Sequence, residues 1–169
     1  MQKILILSDT HSYLDERLLP HIDWCTQIWH AGDWGNVSVA DTLSSLKPVE
    51  GVYGNIDDAT VRKMFPKINH FQCEDVLVGM THIGGAPASY KPDALACFNK
   101  LVPDIFITGH SHILQVKRDL HRNRMLFINP GAAGQHGFHQ VQTAVRLKVE
   151  GKRIFEVEIV EMPRFRKEI

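Results

Sequence analysis

The sequence predicts an α/β fold whose C-terminal third turns antiparallel, and three observations support this. The first is Ile4-Leu5-Ile6-Leu7, an apolar run with no polar face, as expected of a strand buried on both sides. The second is the alternation of such runs with helix-period segments over the first two thirds of the chain. The third is a switch after His112 to strand-like runs without helices between them. With 169 residues and 44% hydrophobic content the chain suits one domain, spanning 1–169.

The elements follow in order. After His11 a polar turn leads to a brief helix at 15–19, expected to end near Pro20. Residues 27–30 read as a second buried strand, and Gly32 permits a tight turn after it. Val39, Leu43 and Leu46 recur at helical spacing over 36–46, and Pro48 closes that segment. A third strand is expected at 49–53. A weaker helix follows at 59–64, then strands at 68–73 and 76–80 joined through Glu74-Asp75 as a hairpin. Pro92 suits the first turn of a helix whose apolar stripe would be Leu95, Phe98 and Leu101.

Residues 104–108 form the next expected strand. Strands at 113–116, 125–128, 141–149 and 153–160 complete the chain. Val141, Thr143, Val145, Leu147 and Val149 alternate with polar Gln142, Arg146 and Lys148, which predicts one wet face. Glu150-Gly151-Lys152 supplies the turn into the last strand.

Composition narrows the function. Lys+Arg and Asp+Glu balance at 19 each, which argues against a sequence-independent grip on long nucleic acid. The cluster Arg164, Arg166 and Lys167 reads as a solvated tail. The leading apolar run is too short for a signal-peptide core, and no stretch is long enough to span a membrane. Cys25, Cys73 and Cys97 are far apart and in no Cys-x-x-Cys pair, so reduced thiols in a cytoplasmic protein are expected.

Polar residues gather at the strand ends. They are Asp9 and His11, then Asp33, Asn55, His82, and finally His110 and His112. In an extended segment Asp9 and His11, two positions apart, would point the same way. The clusters recur at about one strand–crossover–strand unit, so parallel neighbouring strands would bring them to one sheet edge. Seven nitrogen and oxygen ligands exceed the four that a tetrahedral zinc takes. They suit two ions sharing a carboxylate, the arrangement used for in-line displacement at phosphorus. No thiolate lies among them, which argues against an iron–sulfur or structural zinc site.

The series Asp9-Thr10-His11, Gly32-Asp33, Gly54-Asn55, His82 and Gly109-His110-Ser111-His112 resembles the calcineurin-like metallophosphoesterase superfamily. Asn129-Pro130-Gly131 and the short chain make it most similar to the small YfcE-like phosphodiesterase branch. The resemblance runs from Ile4 to about Gly134. It implies a four-layer α/β/β/α sandwich of mixed sheets, with two divalent metal ions at the strand ends. Carried over by motif, Asp9, His11 and His112 would hold one metal, Asn55, His82 and His110 the other, and Asp33 would bridge them. Asn55 would also contact the phosphate. Manganese is the first expectation, with iron, zinc or nickel as alternatives. The implied reaction is hydrolysis of a phosphodiester by hydroxide held between the metals.

One position departs from the pattern. Where many members of the superfamily carry a histidine that protonates the leaving group, and the small branch tends to cysteine, this chain has Ile56. No general acid is identified. Candidates for contacting substrate or orienting ligands are Asp57, His30, His136 and His139. Asp57 would orient Asn55 or cap the following helix, and His30 reads as a hydrogen-bonded core histidine. His21, His70 and His121 read as surface residues. Trp24, Trp29 and Trp34 read as packing, although Trp34 follows Asp33 and would be placed to wall a pocket.

The expected substrate is a small or accessible phosphoester. A phosphomonoesterase is the nearest alternative, and a Vps29-like protein-binding scaffold is the alternative from outside enzymology. Self-association as a homo-oligomer stays open.

Overall fold

A computed structural model of the chain describes residues 1–164. β1 (Gln2–Leu7) leads through a 3-10 turn (Glu16–Leu18) into α1 (Leu19–Trp24), β2 (Gln27–His30), α2 (Val37–Leu46) and β3 (Val49–Gly51). α3 (Ala59–Met64), the β4 (Ile68–Cys73) and β5 (Val76–Thr81) hairpin, α4 (Pro92–Lys100) and β6 (Ile105–Ile107) follow. β7 (Gln115–Asp119), β8 (Met125–Asn129), β9 (Val141–Glu150) and β10 (Arg153–Pro163) end the described chain.

The strands form two five-stranded mixed sheets, ordered β10-β9-β1-β2-β3 and β4-β5-β6-β8-β7. β1, β2 and β3 run parallel, as do β5, β6 and β8, while β9, β10, β4 and β7 pair antiparallel. The predicted clusters therefore reach the site from two sheets rather than from one sheet edge.

The apolar run in β1 is now explained. Ile4 and Ile6 point between the sheets, toward Val78, Met80, Ile105 and Ile128. Leu5 and Leu7 point the other way, into a core with Leu18, Ile22, Val39 and Leu43 beneath α1 and α2. Successive strand residues alternate in direction, and both directions here are covered. Each such side chain contributes about 1.5–3 kcal/mol by leaving water. α4 covers the outer face of the second sheet through Ala94, Cys97 and Phe98 on Phe106 and Phe127. The result is the four-layer α/β/β/α sandwich.

Several local expectations need correction. Pro20 lies in the first turn of α1 instead of ending a helix, because that turn needs no proline N–H. β3 stops at Gly51 because the Tyr53 N–H turns away to the Pro66 carbonyl at 3.1 Å. α4 buries Ala94, Cys97 and Phe98, whereas Leu95 and Leu101 are exposed; Leu46 of α2 is exposed too. The face of β9 predicted to be wet is dry at Gln142, whose amide donates to the Ala133 carbonyl at 2.7 Å and to Asp15 at 3.2 Å. The seventh strand begins at Gln115 rather than at 113.

Arg164 is not a solvated tail residue, since it donates to the carbonyls of Gly137 and His139; Arg166 and Lys167 lie outside the described residues. The three cysteines are free and buried. Among the described residues, no helix is long and apolar enough to cross a membrane.

Candidate metal centre

The loops after the strands are tied together by their backbones. Asp9 N–H donates to the Gly32 carbonyl at 2.9 Å, and His11 N–H to the Asp33 carbonyl at 3.1 Å. On the second sheet, Gly109 N–H donates to the His82 carbonyl at 3.0 Å. Two bonds then cross between sheets: His110 N–H to Asp9 Oδ2 at 3.1 Å, and His82 Nδ1 to the Ala31 carbonyl at 2.7 Å.

The backbone at these residues is unusual. Asp9, His11, Asp33, His110 and His112 all have positive φ, between 46° and 70°. Non-glycine residues rarely adopt this left-handed conformation, which costs on the order of 1–3 kcal/mol each. The extended segment expected to align Asp9 with His11 is thus absent, because β1 ends at Leu7 and both residues are left-handed. Their side chains meet nonetheless, with His11 Nε2 3.8 Å from Asp9 Oδ1.

All seven predicted ligands come together. The ligand atoms of Asp9, His11 and His112 lie within 4.8 Å of one another, and so do those of Asp33, His82 and His110. Asp33 joins the two groups, its Oδ2 lying 3.5 Å from His11 Nε2 and 3.2 Å from His82 Nε2. Asn55 Oδ1 lies 3.1 Å from His110 Nδ1.

This cluster fits metal ions. The buried nitrogens His11 Nε2 and His82 Nε2 have no hydrogen-bond partner among the described residues. The Ala31 carbonyl can only accept, so His82 Nδ1 carries a proton, and Nε2 is the ring atom turned toward Asp33. Nε2 and a carboxylate oxygen 3.2 Å apart call for a cation between them, a proton in the metal-free protein and a metal ion where one is bound. Nitrogen and oxygen donors without thiolates suit manganese, iron, zinc or nickel alike.

The electrostatics agree. Burial would raise the Asp9 carboxyl pKa, but His11, His112 and Ser8 beside it hold it well below the carboxylate range. Burial likewise opposes ionisation of Asp33, and His82 outweighs it, lowering the pKa. For His82 burial works against protonation, while Asp33 and Asp9 win and raise the pKa.

The remaining candidates separate clearly. Asp57 does not cap α3; Asp58 does, accepting from Thr60 and Val61 N–H. Asp57 instead accepts from Gly35 N–H at 2.9 Å and Gly54 N–H at 2.7 Å, joining the Asp33 and Asn55 loops. His30 is fully buried, stacked 3.6 Å from Trp34 and bonded to Thr10 Oγ1, so it does not meet substrate. Trp34 is itself fully buried between His30 and Phe65, and walls no pocket. His136 is exposed and stacks on His11 at 4.6 Å. His139 donates through Nε2 to the Gly134 carbonyl, edge-on to His112. His70, read as a surface residue, bonds the Cys97 carbonyl at 3.0 Å, and His21 is half-buried beside Arg146; of the three histidines read as surface residues, His121 is the exposed one.

Ile56 is 45% exposed next to the cluster, and its backbone N–H donates to Asp33 Oδ1 at 3.2 Å. Sequence reasoning missed Ser8, whose hydroxyl donates to Asp9 Oδ2 at 2.6 Å. It also gave no role to Asn129, whose amide holds the Gly109 carbonyl and Ser111 Oγ, each at 3.0 Å. A polar residue closing an apolar strand was the available signal in both cases.

Residues 2–152 match the calcineurin-like phosphoesterase superfamily domain. A protein of Methanothermobacter thermautotrophicus described as a probable metallophosphoesterase is 28% identical over 160 residues, covering 92% of this chain and 90% of that one. Vps29 from Entamoeba histolytica, solved with zinc, has a TM-score of 0.71 at 20% identity, covering 95% of this chain and 98% of its own. The Thermotoga maritima protein TM1076 has a TM-score of 0.72 at 24% identity, covering 96% of this chain and 100% of its own. At such identities the two structures speak to the fold alone, whereas the domain match covers most of the chain. The chain therefore belongs to the calcineurin-like phosphoesterase superfamily.

Proposed function

We propose that the chain is a phosphoesterase, acting as a phosphodiesterase with two divalent metal ions, manganese first among them. Asp9, His11 and His112 would hold one ion and Asn55, His82 and His110 the other, with Asp33 shared. The observation that carries this reading is Asp33, whose one carboxylate oxygen faces the unpartnered Nε2 atoms of both His11 and His82. Divalent ions so placed lower the pKa of water and neutralise charge on phosphoryl oxygens.

The chain's own residues supply the rest. Ser8 and the His110 N–H fix the Asp9 carboxylate, leaving Oδ1 toward His112 at 3.1 Å. Asn55 turns its oxygen to His110, so its amide hydrogens remain for a phosphoryl oxygen. Ile56 offers only a backbone N–H, already used by Asp33. With no side-chain acid there, good leaving groups are favoured over alkoxides.

The test is hydrolysis of bis-para-nitrophenyl phosphate and para-nitrophenyl phosphate by metal-stripped protein with single metals added back. Metal-dependent diester turnover that disappears in Asp33→Asn supports the reading. Faster monoester turnover would make the chain a phosphomonoesterase. Metal binding without hydrolysis of either ester would replace both with a Vps29-like protein-binding scaffold.

A further inference from the structure

A cleft of about 280 Å³ adjoins the cluster on its Asn55 and His82 side. That volume is near the lower end for ligand pockets, enough for a small group and too little for a long polymer. Tyr53, Gly54, Thr81 and Ile83 contribute walls, and Arg62, Lys67 and Asp93 contribute charge. None of these residues belongs to the predicted ligand set.

Arg62 is held in place. Its Nε donates to the Asp57 carbonyl at 2.7 Å, Nη2 reaches the Asn55 carbonyl at 3.4 Å, and its Cζ lies over the Tyr53 ring, 4.8 Å from the ring centre. These contacts use one edge and one face of the guanidinium. Because its orientation is already set, little entropy remains to be lost on binding an anion. Lys67 is paired with Asp93 at 3.2 Å, and its side chain is exposed. Exposed pairs of this kind contribute little to stability, so an anion displaces the carboxylate at small cost. Two cations against one carboxylate leave the cleft net positive, beside a centre built for a phosphoryl group.

We propose that this cleft binds a second anionic group of the substrate, a terminal phosphate carried on one arm of the phosphoester. Arg62 and Lys67 take its oxygens, and Asp93 swings to solvent or to a hydroxyl of the same arm. The bond broken remains the P–O bond at the cluster, and the terminal phosphate leaves unchanged on its arm. The substrate half of this proposal rests on the phosphoesterase reading; the anion site does not.

The experiment has two arms. In the first, metal-free protein is titrated with inorganic phosphate and followed by amide NMR, reading Gly54, Ile83 and the Arg62 Nε–H, with acetate as the control anion. Saturable phosphate shifts, weakened at least fivefold in Lys67→Met and absent with acetate, are expected. In the second, metal-loaded protein is given the para-nitrophenyl ester of thymidine 3′-phosphate, whose leaving group is good, with and without a 5′-phosphate. The kcat/KM ratio is expected to favour the phosphorylated one about tenfold, and to fall toward one in Lys67→Met. A ratio cancels any general damage from the substitution. Unshifted cleft signals, shifts equal for acetate, or a ratio near one in an active protein would overturn the proposal. Saturable, Lys67-dependent binding in a protein that hydrolyses no ester would keep the anion site and reject the phosphoesterase reading.

Discussion

Asp57 accepts the Gly54 N–H at 2.7 Å, and through its other oxygen the Gly35 N–H at 2.9 Å. One buried carboxylate therefore sets the distance between the loop bearing Asp33 and the turn bearing Asn55. In Asp57→Asn an amide NH2 faces one of those donors, and one hydrogen bond becomes a repulsion. Residues that support metal ligands typically cost about 10–100-fold in metal affinity when changed. A loss of that size, with the circular dichroism spectrum unchanged, is expected by calorimetric titration of manganese. Wild-type affinity in the variant would show that the two loops hold their spacing without Asp57.

Ile56 sets the second expectation. Wild-type rates should fall steeply as the leaving group becomes more basic, with aryl diesters far ahead of alkyl ones. Ile56→His places an imidazole on an exposed position beside the cluster. General acids contribute typically about 10²–10⁴-fold, and an unoptimised one should still give about tenfold on alkyl diesters and little on bis-para-nitrophenyl phosphate. A leaving-group series in both proteins measures this. A flat series in wild type would mean that another group, with His136 nearest the cluster, already donates the proton.

How much of this was legible in the sequence depends on what kind of interaction decides each feature. The strand ends were legible, because apolar runs such as Ile4–Leu7 stop abruptly at polar residues and the motif order is characteristic. The sharing of ligands between two sheets was not, since nothing local distinguishes a parallel neighbour from a strand in a facing sheet. The buried face of α4 was misjudged for a similar reason. Leu95 is the more apolar residue, but Ala94 and Cys97 are what the close-packed floor of Phe106 and Phe127 accommodates. Left-handed backbone at Asp9 and His110 is held by long-range bonds, which composition and spacing do not encode. Arg62 escaped notice because its value lies in being held by Asp57, Asn55 and Tyr53.

Gly54 yields a stability prediction. A Cβ there would fall 2.4 Å from the Asp33 backbone nitrogen and 2.0 Å from Asp33 Oδ1. Backbone cannot rotate away as a side chain does, so Gly54→Ala must push the Asn55 turn off the Asp33 loop. A loss of about 1–3 kcal/mol is expected, read as a lower urea midpoint together with weakened metal binding. A midpoint equal to wild type would show that the turn has room the structure does not give it.

His30 gives the pH dependence. Burial lowers its pKa from an ordinary value of 6.5 to about 3, so it is neutral in the folded protein. Its Nδ1 accepts the Gly32 N–H at 3.2 Å and Nε2 faces Thr10 Oγ1 at 3.0 Å, which satisfies the neutral ring. Between about pH 6.5 and 3 the unfolded chain binds a proton that the folded chain refuses. The His30 contribution is thus complete above pH 6.5 and is lost as pH falls toward 3, by up to about 1.4 kcal/mol per pH unit. His30→Gln keeps a donor and an acceptor without titrating. Urea midpoints of the metal-free proteins should therefore favour wild type at pH 7.5 and converge as pH falls to 4. Parallel curves would mean that His30 is protonated in the fold.

The shared carboxylate at Asp33 makes the last expectation specific to its position. A ligand that binds only the folded state stabilises it by RT ln(1 + [L]/Kd), about 2.7 kcal/mol at a hundred times Kd. Two ions should give two such increments, and calorimetry should resolve two binding events. His112→Ala removes a donor from one group and His110→Ala from the other, so each variant should keep one event and roughly half of the metal-induced rise in Tm. Asp33→Asn is different, because Asp33 Oδ2 faces His11 on one side and His82 on the other. It should weaken both events together while leaving the metal-free Tm little lower, since removing a buried negative charge also removes a desolvation cost. If Asp33→Asn instead loses a single event and resembles His110→Ala, the two groups hold their ions independently and Asp33 is not shared.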